Sequence, residues 1–211
     1  VPCPERKEGY KRMRTSHITI KRQITDTRNK LTDEQLFASP RFSAYLTDIA
    51  EGATKRYKRS SKVMTCWDLS ENAGIAVTDN RVIHLNAGNF LTRSFPTRSL
   101  RADSLIGLAG HECGHILFSD FTMLELYSQS LRNGRFYPEE PEPAAAALEK
   151  NLLEIKDCLK NKEESAIRAL SHISHSLVNI MEDIYIESRI CDEFAGSFRT
   201  GILLNNLRFA E

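Results

Sequence analysis

The sequence predicts an α+β domain, with a small mixed sheet set between helices and a mainly helical C-terminal half. Three observations predict it. Short β-branched runs bounded by Asn, Asp and Gly (KVMTCW, GIAVTD, RVIHLNAG) fall together between residues 62 and 88. Before and after them, apolar residues recur with the 3.6-residue helical period. The order is helices, sheet, helices, and no internal repeat interrupts it.

The 211 residues are enough for one sizeable domain or two small ones, and 41% hydrophobic with 27% charged residues is ordinary for a soluble globular chain. A net charge of +1 excludes a whole-molecule attraction to nucleic acid or membrane. No apolar run is long enough for a spanning helix, and VPCPERKEGYKRMR lacks the apolar core of a signal peptide. The chain has no initiator Met and stops inside an apolar pattern (ILLNNLRFAE), so a domain cut from something longer is expected. Cys3, Cys66, Cys113, Cys158 and Cys191 are odd in number, scattered, and form no CxxC. That argues against a disulfide framework and a thiolate zinc site, and for a reducing, cytoplasmic compartment.

Residues 1–30 read as a basic arm: Arg6, Lys7, Lys11, Arg12, Arg14, Lys21, Arg22, Arg28 and Lys30 face only Glu5, Glu8 and Asp26. A second basic cluster runs from Lys55 to Lys62. Both read as solvated surface. Aromatic interleaving is sparse (Tyr10, Tyr57), which weakens a nucleic-acid reading. The main domain is expected over 31–211. Thr32 and Gln35 form a capping-box pattern that starts a helix near residue 32, and Pro40 interrupts it. Phe42, Tyr45, Leu46, Ile49 and Ala50 then hold a helical period. Strands are expected at 63–67, 74–79 and 82–86, with Thr78-Asp79-Asn80-Arg81 as the tight turn between the last two. From about Ser104 the chain reads as helical, with further helices over 121–132, in AAAALEKNLLEIKDCLKN, and from about Glu163 to Cys191. The linker NGRFYPEEPEP is expected to be exposed, and residues 134–160 to form a lid or flap.

The chemistry concentrates in Gly110-His111-Glu112-Cys113-Gly114-His115, inside the otherwise apolar SLIGLAGHECGHILFSDF. On a helix, His111 and His115 stand one turn apart on one face, so both imidazoles can reach one ion. Glu112 points beside that ion, where it can take a proton from a bound water. Two histidines and a glutamate in an apolar helix are costly without a partner. Gly107, Gly110 and Gly114 are expected to admit sheet backbone or substrate. A third ligand is sought on ALSHISHSLVNIMEDIYIESRI, where His172, His175, Asn179 and Glu182 or Asp183 recur on one helical face and Glu187 lies one turn past Asp183. Asp183 and Glu182 point roughly 100° apart, and both stay candidates. Asp183 has Asn179 and Glu187 one turn to either side as supporting groups, whereas Glu182 has the longer reach. Two histidines and a carboxylate suit Zn2+, and also iron or manganese.

GHECGH on a helix preceded by a small sheet with RVIHLNAG resembles the zincin metallopeptidases. NIMEDIYIE resembles the N-x-x-E-D-x-x-I-E helix of minimal, gluzincin-like zincin domains. Such domains occur ahead of a von Willebrand factor A domain in proteins associated with AAA+ ATPases. The resemblance covers roughly residues 60–195. It implies a zinc peptidase with His111, His115 and one acid of the Glu182–Asp183 pair as ligands and Glu112 as general base. It further implies a peptide or protein substrate paired along the strand Val82, Ile83, His84, Leu85 and Asn86, and a von Willebrand factor A or AAA+ partner. His175, Asn179 and Glu187 are candidates to support the ligands, and Tyr185, His172 and His175 to donate to an oxyanion. The chain departs from the thermolysin pattern in lacking NExxxD and in the long gap containing PEEPEP. Cys113 reads as a small core filler. The alternative is a metal-binding scaffold without catalysis that serves as an interaction module; a purely structural site would draw a fourth ligand such as His175.

Overall fold

The computed structural model describes residues 16–211. The arm's residues 1–15 lie outside the described residues, and its remainder is a helix, α1 (His17–Lys30), with Ile18 and Ile24 largely exposed. The Thr32 capping box is formed. The Thr32 hydroxyl accepts from Gln35 N–H at 3.1 Å and the Gln35 side chain accepts from Thr32 N–H at 2.9 Å, opening α2 (Asp33–Phe37). Pro40 ends nothing itself; it is the first residue of α3 (Pro40–Thr54), a position where its missing N–H costs little. Leu46 and Ala50 are buried on α3, while Tyr45 is half exposed.

The three strands are β1 (Lys62–Cys66), β2 (Ala76–Thr78) and β3 (Val82–Asn86). They are ordered β1-β3-β2, with β1 parallel and β2 antiparallel to β3. The 79–82 turn is held by Asp79 Oδ1, which accepts from the N–H groups of Arg81 and Val82, and Asn80 takes the left-handed φ of 73°. Val63, Ile83 and Leu85 point inward at period two, leaving Met64, Val77 and His84 on the solvent face.

The inward face packs on α5 (Arg98–Phe118), capped by Thr97 and preceded by the short α4 (Phe90–Ser94). Leu105, Ala109, Cys113 and Ile116 of α5 are fully buried in this core. Leu105 and Ile116 each contribute about 2 kcal/mol by leaving water. After α5 come α6 (Phe121–Arg132), α7 (Glu149–Lys160), α8 (Glu164–Glu193) and α9 (Ser197–Phe209).

The α5 glycines receive helices and not sheet backbone, and Gly107 also lines the cavity beside His111 and Glu112. A Cβ on Gly107 would collide with the backbone of Gly201 in α9 and one on Gly110 with the Phe198 ring, while one on Gly114 would sit tightly, at 3.0–3.3 Å, against Ile186 and Ile190 of α8. Their missing side chains are what bring α8 and α9 against the motif face. The 134–160 segment, expected as a lid, lies against α8, and its Tyr137 and Pro138 line a cavity with Tyr127 and Glu182. Leu159 is buried, Lys156 pairs with Glu140 at 2.7 Å, and α7 lies along α8. Among the described residues no helix is long and apolar enough to cross a membrane, and Cys66, Cys113, Cys158 and Cys191 are free thiols.

Candidate metal centre

One turn of α5 separates His111 from His115, and their Nε2 atoms converge to 3.2 Å. Asp183 of α8 brings Oδ1 to 3.4 Å from His115 Nε2 and 3.6 Å from His111 Nε2. Two imidazole nitrogens and a carboxylate oxygen, all within 4.8 Å of one another, could hold a metal ion. The residues present therefore fit an ion of the kind that the motif implies.

The far nitrogens are committed elsewhere. His111 Nδ1 meets Glu187 Oε1 at 2.9 Å, and Glu187 Oε2 accepts from Asn206 Nδ2 of α9 at 2.7 Å. His115 Nδ1 meets Ser119 Oγ at 2.9 Å. With a proton on each Nδ1, both Nε2 lone pairs face Asp183. Burial pulls the His111 pKa down, but the Glu187 hydrogen bond and the charges of Glu112, Asp183 and Glu187 outweigh it, and the net shift is upward. Burial and the neighbouring His111 charge lower His115. Burial would raise Glu187, yet its hydrogen bonds to His111 and Asn206 hold it below the usual carboxylate range.

Glu112 follows the first histidine and is 6% exposed. Burial, with the Asp183 charge adding to it, pushes its carboxyl up to about 7. Cys113 is fully buried and its thiol is pushed to about 12, so it fills core space and offers no thiolate to the centre.

Other residues singled out from the sequence stand apart. Glu182 reaches only the Nδ1 side of His115, at 3.8 Å, so the acid in the cluster is Asp183 and not the glutamate of a gluzincin-like pattern. His172, His175 and Asn179 lie on the exposed face of α8, and His175 and Asn179 contact each other at 3.4 Å. The reason is axial distance: His175 is eight residues, about 12 Å, from Asp183 along the helix. Tyr185 is half exposed with its ring edge-on to Phe118, and it makes no hydrogen bond to the centre.

The strand Val82–Asn86 is a correction. It was expected as a free edge, but β3 is the central strand, paired on both sides. The Asn86 side chain is spent on Asp68 and Gly88 backbone. Nor is the outer edge of β1 free. Val63 N–H donates to Thr47 Oγ1 at 2.9 Å and Thr65 N–H to Ser43 Oγ at 3.1 Å, both from α3. The remaining edge is β2. Asn86 N–H donates to Ile75 O and Asp79 N–H to Val82 O, so by antiparallel alternation residues 75, 77 and 79 face β3. The backbone groups of Ala76 and Thr78 then face outward. Ile75 and Ala76 line a cavity of about 500 Å3 together with His111, Glu112 and Asp183, and no residue of 134–160 lines it.

Sequence reasoning missed Ser119, Asn205 and Asn206, and it set no bounds for α9. Ser119 was legible in principle, one turn past His115. The polar pair Asn205–Asn206 inside the apolar ILLNNLRF was the other signal. No family model, no curated protein and no solved structure matches this chain.

Proposed function

We propose that the chain is a zincin-like zinc peptidase that hydrolyses peptide bonds with Glu112 as general base. The observation that carries this reading is the convergence of His111 Nε2, His115 Nε2 and Asp183 Oδ1 beside the buried carboxyl of Glu112. His111, His115 and Asp183 would hold the ion, which when bound acts as a Lewis acid toward water and the substrate carbonyl. Glu187 and Ser119 orient the two imidazoles through their Nδ1 atoms. The Glu112 carboxylate takes a proton from the attacking water and delivers it to the nitrogen of the leaving amine. Its burial suits that exchange, since a carboxyl near 7 accepts and releases protons at neutral pH. A positive charge beside it favours the ionised form that a base requires. The open edge of β2 supports an extended peptide as the ligand, because unpaired Ala76 and Thr78 backbone groups are satisfied by another backbone. A three-residue donor set supports catalysis over a purely structural site, which would use a fourth side chain.

The test is metal analysis of the purified chain and of Glu112→Ala, with cleavage of unfolded protein followed for both. The variant is expected to keep its metal and lose hydrolysis. Equal cleavage by the two rules out Glu112 as base, and an unchanged metal content in His111→Ala rules out the centre. One observation favours a second reading, a metal-binding module that docks a von Willebrand factor A or AAA+ partner. Ile173, Leu177 and Met181 of α8 are more than half exposed, and an apolar stripe of this kind is a common docking surface.

A further inference from the structure

Glu182 and Asp183 follow each other on α8, about 100° apart around the helix, and they line different cavities. Asp183 lines the one beside Glu112. Glu182 lines a second, of about 480 Å3, walled by Leu124 and Tyr127 of α6, by Tyr137 and by Val178. The Glu182 side chain is only 15% exposed, yet among the described residues its oxygens make no hydrogen bond. His115 Nδ1 stands 3.8 Å away and is already committed to Ser119. The Glu182 oxygens are nevertheless reachable: the one side-chain polar atom among the described residues that is both sealed from solvent and unpartnered is Asn205 Oδ1. Asp120, which follows Ser119, lines the same cavity, and no Lys, Arg or His does. A carboxylate largely out of water without a partner is expensive, and a ligand that brings a cation recovers that cost.

We infer that this second cavity is a subsite for a substrate side chain with a long apolar stem and a cationic tip, lysine or arginine, held beside the metal centre by Glu182. The stem lies along Leu124 and Val178, and the tip meets the Glu182 carboxylate. Tyr127 and Tyr137 add aromatic wall, which receives a cation better than aliphatic wall does. Only the His115 imidazole separates that carboxylate from the converging Nε2 atoms, so the side chain belongs to a residue next to the bond that is cut. Norleucine would fill the walls and leave Glu182 unpaired, and glutamate would set like charges together. Through Tyr137, the 134–160 segment is a wall of this subsite. Glu182 is a specificity residue in this scheme and has no part in the bond-breaking step. The inference rests on the peptidase reading for the ligand's being a peptide.

Binding tests it apart from turnover. The full chain carrying Glu112→Ala and loaded with zinc is titrated calorimetrically with blocked hexapeptides. These are alike except for one residue, which is Lys, Arg, norleucine or Glu, placed at each position in turn. At one position Lys and Arg are expected to bind roughly tenfold to a hundredfold tighter than norleucine, the worth of one charged hydrogen bond, with Glu weakest. Adding Glu182→Gln should bring Lys and Arg down to norleucine. Leu177→Arg should do the same: Leu177 also lines the cavity and is 57% exposed, so the change sets a cation there and spares the core. Equal affinities for Lys, Arg and norleucine at every position, a preference that survives either variant, or binding of no peptide overturns the inference. Where Glu182→Gln fails to fold, Leu177→Arg decides. A Lys and Arg preference in binding with no cleavage by the Glu112-intact chain removes the peptidase reading and leaves the subsite. Cleavage without that preference does the reverse.

Discussion

Glu112 should make the metal-free protein lose stability as pH rises. Its carboxyl moves from 4.5 to about 7 on folding, chiefly through burial. At about 1.4 kcal/mol per pH unit, that is a penalty of about 3 kcal/mol on the fold once the group is ionised in both states. The sign follows from the order of the two values. The folded pKa is the higher, so the folded state binds the proton more tightly. No penalty exists below about pH 4, it grows between about 4.5 and 7, and it is complete by about pH 8. Glu112→Gln removes the titrating group while keeping its shape. The stability difference between variant and wild type should therefore climb by about 3 kcal/mol from pH 4 to pH 8, in favour of the variant. Urea unfolding in the presence of a chelator measures it, and the readout is the pH slope, not the offset at any one pH. With zinc present the slope should shrink, because a cation beside the carboxylate offsets the desolvation. A flat difference across this range without metal would mean that Glu112 is not desolvated, and the proton-exchange role would lose its physical basis.

Glu187→Gln should weaken zinc binding roughly 10-fold to 100-fold by calorimetry, since Glu187 both orients His111 and adds charge behind it. Asn206→Ala should weaken it less, because Asn206 acts on the centre only through Glu187. His175→Ala should leave zinc content and affinity unchanged. Asp33 is held by Arg98 and Arg101, and although burial pushes its pKa up, those partners bring it below the usual range. Its contribution is thus present above the unfolded pKa and lost as pH falls through the folded one. Asp33→Asn should cost about 2 kcal/mol at pH 7 and progressively less on acidification, by urea unfolding. Gly201→Ala should destabilise by about 1–3 kcal/mol and loosen metal binding along with stability, because its Cβ has no room against α5 and α9 must shift with Asn206 on it.

What the sequence made legible was whatever a local rule controls. The capping box at Thr32, the helix over 121–132, the turn at Asp79 and the pairing of His111 with His115 all depend on residues within one or two turns of each other. Asp183 was reachable because acids in an aliphatic helix need a partner, but choosing it over Glu182 required knowing how α8 is rotated against α5. That rotation is set by Gly114, which seats Ile186 and Ile190 and so turns Asp183 and Glu187 toward the histidines. His175 misled because it lies two turns, about 12 Å, along the axis from Asp183, and Asn179, only one turn away, is exposed and turned to His175.

The sheet edge shows the same limit from the other side. All three strands were visible in their β-branched runs, yet no local signal says that the first strand in the chain pairs parallel to the third. That pairing decides which edge a substrate meets. Once β1 takes the far side of β3, its outer N–H groups fall against α3, where Ser43 and Thr47 accept them. A sheet of three strands has two edges, and here α3 closes one with side-chain oxygens. The other, β2, stands beside His111 and Glu112 with Ala76 and Thr78 turned outward. On the proposed reading, the place of β2 beside His111 and Glu112 would give that open edge a use, and the peptide proposal draws more support from it than from β3, which is paired on both sides.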